Sequence, residues 1–495
     1  MSSENIEKWR NELEIIQRQA NILEPSKEIM VNWKESVDDY VFSFLENLND
    51  EKSYTFKNNK KFLNIEFSED PKKLESLIEK FKAEFNDSGI SAASGKYLGF
   101  IPGGGLYPSA LADYIADITN KYSGVIYGCP AAVDIENSVI KWTCSLIGYP
   151  KTSTGNICSG ASTGILYGIH VARDSFKVKS EFYSRLVIYC TSVCHGCVFK
   201  SLKVAGLGDS VIRKVPTDQD LRMLPGELNE LIKVDVSNNL IPFMIFSSAG
   251  STDVGSVDPF DEINKVADKY KCWHHIDGAY GGYFMLLNSQ KEKFKGIEQA
   301  DSITLDPHKS LFIPYGCGIV LYKNAKKAIS AFNVEPNQEN CLQDCRSEEI
   351  SPANVSLELT KPFRGLRIWL PLQIFGVKAF RDCLEEKLIL TQYFYEKIKL
   401  IGYQVGPTPQ LTVVVFRYFC STDTDSDLFN ESILEMVKTN GISFVSSTRI
   451  NGAYWLRCCI LSCRTHDNIE LSHEWLSSIL SFTLSFTLKL AINKF

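Results

Sequence analysis

Basic residues are not in excess in this sequence, and long apolar runs are absent. The net charge of -6 at pH 7, with no basic stripe, argues against nucleic acid as a partner. The uncharged run from Leu476 to Leu488 has only 13 residues, fewer than the roughly 20 of a membrane span. The first residues, Met1 to Asn5, lack the apolar segment of a signal peptide. We therefore expect a cytoplasmic protein with no membrane partner.

Cysteine is too dilute for a disulfide scaffold, with 15 among 495 residues, and this also favours a reducing compartment. Cys190, Cys194, His195 and Cys197 form a local group that could suggest zinc. Their spacing matches no common structural zinc pattern, and no second half of such a site follows. We interpret the cysteines as buried thiols and predict no metal site.

Short apolar runs alternate with helical periods from Gly99 onward, and this pattern is typical of an α/β fold with a mostly parallel sheet. Pro259 to Tyr270 has a helical pattern and predicts a crossover helix. The strand candidates are Leu186 to Cys190, Pro242 to Ser247, Trp273 to Ile276, Ser302 to Leu305 and Gly318 to Tyr322. Ligands of such folds bind beyond the carboxyl ends of the strands.

The two ends of the chain differ from this middle part. Residues 1 to about 90 predict helices with an apolar face, and a loop from Asn49 to Lys61. The faces contain Val41, Phe44, Leu45 and Leu48 in one helix, and Leu74, Leu77, Ile78 and Phe81 in another. Residues 333 to 356 predict a long exposed loop, which in many proteins is a functional lid. A C-terminal unit starts near Pro371, and alternation from Leu480 to Leu488 predicts a half-buried strand.

Asp277 and Lys309 carry most of the chemical information. Asp277 ends one apolar run, and Lys309 lies between an uncharged run and the apolar residues that follow it. A lysine that captures an aldehyde and a carboxylate that keeps a pyridine nitrogen protonated are the groups that hold pyridoxal phosphate. A lone lysine is usually a surface charge and a lone aspartate often caps a turn, so the pair supports this interpretation more strongly than either residue.

Further residues fit the same cofactor. His195 follows a strand and could stack on the pyridine ring, while the small Ala279 suits the opposite ring face, since strand residues two apart share a side. Ser159 to Gly164 precedes a helical pattern from Ile165 to Ala172, and such a helix start can bind phosphate or merely cap the helix. Thr252 adds a hydroxyl just beyond a strand.

Together these residues resemble the group II pyridoxal-phosphate-dependent amino acid decarboxylases, the family of the aromatic-L-amino-acid and glutamate decarboxylases. The resemblance extends from about Lys96 to Leu476. It is strongest in Tyr107 to Asp113, Asp277 to Gly282, Asp301 to Gly318 and Phe363 to Trp369.

The resemblance implies fold type I, with a mostly parallel seven-stranded sheet and a smaller C-terminal α/β domain. It implies an N-terminal helical dimerisation segment (1–95), a large cofactor-binding domain (96–370) and a small domain (371–495), in a homodimer with active sites at the interface. It also implies that Lys309 is the Schiff-base lysine, Asp277 the pyridinium partner and His195 the stacking residue. Ala161, Ser162 and His308 would then be neighbours of the phosphate, and Thr252 would lie near the cofactor.

Three positions depart from the family pattern. Asp306 stands where the family often has asparagine, and a carboxylate there would repel the phosphate unless it were protonated or turned away. Gly103 stands where aromatic decarboxylases have a substrate-binding threonine. No tyrosine lies between Tyr322 and Tyr393, although the family's mobile loop carries one that protonates the substrate carbanion. Its place falls to Gln338 or Cys341, of which only the thiol is a plausible acid.

We therefore predict an enzyme that decarboxylates an L-amino acid, with an aromatic one as the candidate substrate, to an amine and carbon dioxide. Catalysis would rest on Lys309, His195, Asp277 and Cys341. Loss of the loop tyrosine keeps open an aldehyde synthase, which decarboxylates and oxidatively deaminates, and the fold keeps open another carbon–carbon lyase. A catalytically inactive dimeric homologue is the third alternative.

Overall fold

The computed structural model describes residues 3–55, 67, 69–86, 88–333 and 350–466. The chain forms two compact units, Met1–Ser91 and Ala92–Phe495. Over the described part of the chain, no helix combines the length and the apolar character needed to cross a bilayer.

The first unit is helical, as its apolar periodicity predicts. It contains α1 (Ser3–Ala20), α2 (Lys27–Asn47), α3 (Leu74–Phe85) and the short paired strands β1 (Tyr54–Thr55) and β2 (Gly89–Ile90). Tyr40 of α2 packs its ring edge against Phe81 of α3, with ring centroids 5.7 Å apart. Strand β1 lies where the sequence predicts only a loop.

The second unit is built on a seven-stranded sheet with the order β3-β9-β8-β7-β6-β4-β5. The strands are β3 (Thr154–Cys158), β4 (Leu186–Cys190), β5 (Val211–Lys214), β6 (Ile241–Ser248), β7 (Trp273–Asp277), β8 (Ser302–Leu305) and β9 (Gly318–Tyr322). Neighbouring strands from β5 to β8 are parallel, and β9 runs antiparallel to both β8 and β3. The predicted mostly parallel sheet and α/β class are therefore confirmed.

Helices cover this sheet, because its strands are buried and need apolar layers on both faces. The helices in this part of the chain are α4 (Tyr107–Thr119), α5 (Pro130–Ile147), α6 (Ala161–Phe176), α7 (Cys197–Val204), α8 (Pro225–Ser237), α9 (Phe260–Tyr270), α10 (Pro307–Ser310) and α11 (Ala325–Phe332), and all but α4 pack on the strands or on another of these helices that does. The crossover helix predicted from Pro259 is α9. The helix predicted from Ile165 begins four residues earlier, at Ala161.

A second, four-stranded antiparallel sheet follows in the chain, in the order β10-β11-β13-β12. Its strands are β10 (Gln404–Val405), β11 (Val413–Arg417), β12 (Ser446–Ile450) and β13 (Ala453–Cys459), with helices α12 (Arg364–Leu400) and α13 (Asp423–Asn440). Helix α12 is two helical segments that meet in a kink at Gly376, where φ is 70°. The domain boundary predicted at residue 371 lies within α12, shortly before this kink.

The prediction of an exposed loop over 333 to 356 is wrong at its described end. Pro352–Val355 form a 3-10 turn, and Val355 is only 1% exposed because it packs into the apolar core beside the sheet. The strand predicted from Leu480 to Leu488 lies outside the described residues.

Candidate active site

One cavity of about 300 Å³ lies beyond the carboxyl ends of the parallel strands. Segments that follow β3, β4, β6, β7 and β8 supply its lining, because parallel strands deliver their carboxyl ends to the same sheet edge. The lining includes every predicted cofactor neighbour, namely Ala161, Ser162, His195, Thr252, Asp277, Ala279, His308 and Lys309. The fold therefore brings together residues that are almost 150 positions apart in the sequence.

Lys309 lies on the short helix α10, one turn beyond β8. Its Nζ atom is 3.0 Å from Asp306 Oδ2. Burial lowers the pKa of Lys309, but the carboxylates of Asp306 and Asp277 outweigh this effect and raise the pKa above its ordinary value. The free amine in this cavity is therefore an ammonium at neutral pH.

Asp277 is the last residue of β7, the central strand that pairs with β6 and β8. Burial raises the pKa of Asp277, and its electrostatic interaction with the Lys309 ammonium and the hydrogen bond from the Ala279 amide oppose this rise. A cationic N–H group brought to this carboxylate would compensate its lost hydration.

Ala279 lies beside Asp277, but strand alternation does not place it there. Strand β7 ends at Asp277, and the Ala279 amide donates a hydrogen bond of 3.1 Å to Asp277 Oδ1. The prediction that Asp277 and Ala279 share one side of a strand is therefore wrong, although both residues line the cavity. A turn closed by the aspartate side chain brings them together.

His195 lies between β4 and α7, with its ring exposed at the cavity. The amide of Cys197 donates a hydrogen bond of 3.2 Å to His195 Nδ1. Because Nδ1 accepts this bond, the neutral ring carries its proton on Nε2. This hydrogen bond fixes the orientation of the His195 ring.

The cysteines around His195 are not arranged as a metal site. Among the residues that the structure describes, no group of three or more histidine, cysteine or acidic side chains could hold a metal ion. A hydrogen bond from Cys194 and the nearby Lys214 ammonium, whose Nζ is 3.5 Å from the Cys190 sulfur, lower the pKa of Cys190 to about 7.

The start of α6 suits an anionic group. The amides of Thr163 and Gly164 donate to the Gly160 carbonyl, whereas those of Ala161 and Ser162 find no acceptor among the described residues. Two unpaired amides at the positive end of a 16-residue helix form an anion-binding position. The residues present therefore fit a phosphate here and, with Lys309 and Asp277, fit pyridoxal phosphate.

His308 and Thr252 lie on the cavity wall and are held through their neighbours. His308 Nδ1 donates a hydrogen bond of 2.6 Å to the Cys317 carbonyl, which leaves Nε2 available to the cavity. Burial lowers the pKa of His308. The Thr252 carbonyl accepts a 2.9 Å hydrogen bond from Arg457 Nε, so the second sheet supports this loop.

Gly103 has a structural role that the sequence does not reveal. A Cβ atom at this position would lie 2.3 Å from the His308 carbonyl oxygen, so only glycine allows this approach. Arg464 holds the same loop through a 2.9 Å hydrogen bond to the Gly105 carbonyl and a contact with the Gly104 carbonyl. No local pattern predicts these contacts, because they join segments from opposite ends of the second unit.

Cys341 and Gln338 lie outside the described residues. The predicted catalytic role of Cys341 therefore stays a prediction, as do the individual roles of the residues that line the cavity.

Comparison with known proteins agrees with this geometry. The profile of the family described as "Pyridoxal-dependent decarboxylase conserved domain" matches residues 57–419. An aromatic-L-amino-acid decarboxylase of Bacillus atrophaeus is 31% identical over 376 residues, which cover 74% of this chain and 77% of the relative. A 4-hydroxyphenylacetaldehyde synthase of Rhodiola rosea is 25% identical over 371 residues, 71% of this chain and 75% of the relative.

Structural superposition on solved structures covers a larger share of this chain than the sequence alignments do. The crystal structure of Oryza sativa TDC with PLP and tryptamine superposes with a TM-score of 0.87 at 20% identity, covering 92% of this chain and 99% of that one. The family match extends over most of the chain and contains every cavity residue named above. The chain therefore belongs to the pyridoxal-dependent decarboxylase family, as a pyridoxal-phosphate-dependent carboxy-lyase of fold type I.

Proposed function

We propose that this enzyme decarboxylates an L-amino acid, with an aromatic side chain as the first candidate, to the corresponding amine and carbon dioxide. One observation carries the proposal: the Lys309 amine, the Asp277 carboxylate and the unpaired amides at the start of α6 line a single cavity. The aromatic preference is supported by the Bacillus atrophaeus relative and is weakened by Gly103, which offers no hydroxyl to a substrate.

Each residue would have a separate task. Lys309 would bind the cofactor aldehyde, and Asp277 would hold a proton at the pyridine nitrogen. The amides of Ala161 and Ser162, together with His308, would bind the phosphate, while His195 would lie against the ring. When bound, pyridoxal phosphate withdraws the electron pair of the bond to the substrate carboxylate. The protein chooses the bond by orienting the substrate.

A change of Lys309 to alanine tests this assignment. We expect reduction with borohydride to fix the cofactor mass on the Lys309 peptide of the wild type and not on that of Lys309→Ala, because the variant lacks the amine. Carbon dioxide release from a panel of L-amino acids should be abolished as well. Lys265→Ala is the control, since this lysine lies exposed on α9 and its side chain is 69% accessible. Cofactor mass on a different lysine would contradict the proposal.

An aldehyde synthase is the second candidate. The absence of tyrosine from 323 to 392 and the Rhodiola rosea relative favour it. Product analysis separates the two activities, because a decarboxylase yields amine and an aldehyde synthase yields aldehyde, ammonia and peroxide. Failure to release carbon dioxide from any amino acid, despite cofactor on Lys309, would favour another carbon–carbon lyase or an inactive homologue.

We further propose a cytoplasmic homodimer, in which residues 1–95 form the dimerisation segment, 96–370 the cofactor domain and 371–495 the small domain. Exposed apolar side chains on α4 support an interface, with Tyr114 52%, Ile115 49% and Ile118 72% accessible in the single chain. Helix α1 also exposes Trp9 and Leu13. A monomer mass in analytical ultracentrifugation would contradict the dimer.

A further inference from the structure

The Asp306 carboxylate is directed at Lys309. Asp306 is only 2% exposed, and its Oδ2 atom lies 3.0 Å from Lys309 Nζ and 3.6 Å from His308 Nε2. The local spacing permits this contact, because Asp306 precedes the helical turn Pro307–Ser310 and residues three apart on such a turn can face the same way.

The other oxygen of Asp306 has no alternative partner. Among the residues that the structure describes, no hydrogen-bond donor reaches Oδ1, which is fully buried. Gly318 closes this side, since a Cβ atom there would lie 2.8 Å from Oδ1. A buried carboxylate needs a compensating cation. Lys309 is the nearest ammonium that the described part of the chain provides.

Other ionisable groups interact electrostatically with Lys309, but they form no ion pair with it among the described residues. The acidic ones are Asp277 from β7 and Cys197 from α7; His308, Tyr315 and Cys459 of β13 lie within electrostatic range as well. Only Asp306 forms an ion pair with the lysine amine among the described residues. Burial alone would lower the pKa of Lys309, and the two aspartates together reverse this.

We propose that Asp306 is a positioning residue that keeps the free amine of Lys309 as an ammonium, and that Lys309 is thereby the acid that protonates the substrate α-carbon. This inference rests on the proposed decarboxylation. The bond to the carboxylate breaks and carbon dioxide leaves without the bonding electron pair. A proton from Lys309 Nζ then forms the new C–H bond. Lys309 is left as a neutral amine, the form that can bind the cofactor aldehyde again and release the amine product.

The pairing gives this chain a proton source that does not depend on a loop tyrosine. In the sequence, tyrosine is absent from residues 323 to 392. The asparagine that the family often has at this position could not replace Asp306 in this role, because an amide carries no charge to stabilise the ammonium.

The first experiment measures Lys309 without the cofactor or any turnover. The cofactor-free protein is treated with an amine-directed reagent over a pH series, and labelling of the Lys309 peptide is quantified by mass spectrometry. In Asp306→Asn, which keeps the side-chain shape, we expect the labelling midpoint to fall by roughly 1–3 pH units. Asp261→Asn is the matched control, because Asp261 pairs with Lys265 at 2.8 Å on α9, outside the cavity. An unchanged midpoint in Asp306→Asn would overturn the proposal.

The second experiment measures the products of the cofactor-loaded enzyme over the same pH series in air. When protonation is slow, dioxygen can oxidise the α-carbon, so aldehyde should replace amine above the pH at which Lys309 loses its proton. We expect this crossover to fall in Asp306→Asn by the same shift as the labelling midpoint. A shifted midpoint with an unshifted crossover would assign the proton to another acid, Cys341 included. Wild type that releases no carbon dioxide would instead refute the proposed function, while the labelling result would still stand.

Discussion

The buried ion pair between Lys361 and Glu136 should be the most sensitive structural contact behind the active site. Lys361 Nζ donates to Glu136 Oε2 at 2.7 Å, to Asn156 Oδ1 at 3.0 Å and to the Ile157 carbonyl at 3.1 Å. The two charged side chains are 0% and 2% accessible. The pair thus joins α5 to β3, the strand that leads directly into the start of α6.

The change Lys361→Met keeps the length of the side chain and removes its charge. Glu136 then retains the 2.9 Å hydrogen bond from the Gly365 amide, which is the only other hydrogen bond to its carboxylate among the described residues. Removing one partner of a buried pair costs about 3–5 kcal/mol, because the other charge stays buried without compensation. We expect the free energy of unfolding to fall by that amount, and cofactor affinity to fall as β3 loosens.

Urea unfolding followed by circular dichroism measures this loss. The double variant Glu136→Gln/Lys361→Met should recover most of it, since no buried charge remains. Lys378→Met is the surface control, because Lys378 and Asp382 form a pair with 79% and 57% accessible side chains, and such pairs contribute about 0–1 kcal/mol. A loss in Lys361→Met no larger than in Lys378→Met, or a double variant less stable than the single one, would refute the reasoning.

Two further predictions concern the site and its supporting strands. Gly103→Ala should weaken cofactor binding about tenfold, because overpacking against the His308 carbonyl, which costs about 1–3 kcal/mol, displaces α10. Gly226→Ala is the control, since a Cβ atom there meets open space and should leave cofactor binding unchanged. Equal cofactor affinities of the two variants in a titration would contradict this prediction. Burial lowers the pKa of His274 and of His275 from 6.5 to about 3, so the unfolded chain binds protons first and stability falls below pH 6.5. Each histidine should lower the free energy of unfolding by about 2 kcal/mol between pH 7.5 and pH 5. In His275→Gln we expect a smaller fall over this pH range than in the wild type, because only His274 remains to contribute. Equal falls in the wild type and the variant would contradict the prediction.

The sequence was most informative where a segment is buried on both faces. Strands β4, β8 and β9 have the predicted bounds: β4 and β9 are nearly continuous apolar runs, and β8 is a short uncharged run that is buried throughout. Two strands were not predicted: β3, which contains Thr154, Gly155 and Asn156, and β5, an edge strand that ends in two basic residues. Neither has a strong apolar pattern, and their pairing with β9 and β4 determines them.

Local sequence also determined the main chemical groups of the site. Lys309 and Asp277 attracted attention because Asp277 ends one strand and Lys309 lies one turn beyond another, and His195 follows a third strand. Ala279 was assigned to the correct neighbourhood for a wrong reason, since a turn rather than strand alternation brings it to Asp277.

The sequence by itself thus determined the α/β class and the parallel strands, and it supplied the lysine and aspartate of the proposed cofactor site, because each has a signature within a few residues. Only the tertiary structure decided the direction of the Asp306 carboxylate, which the sequence left open between repelling the phosphate and turning away. It also decided the need for glycine at 103, where the backbone of His308 approaches. Both depend on segments that the folded chain brings into contact, and local sequence does not encode such distances.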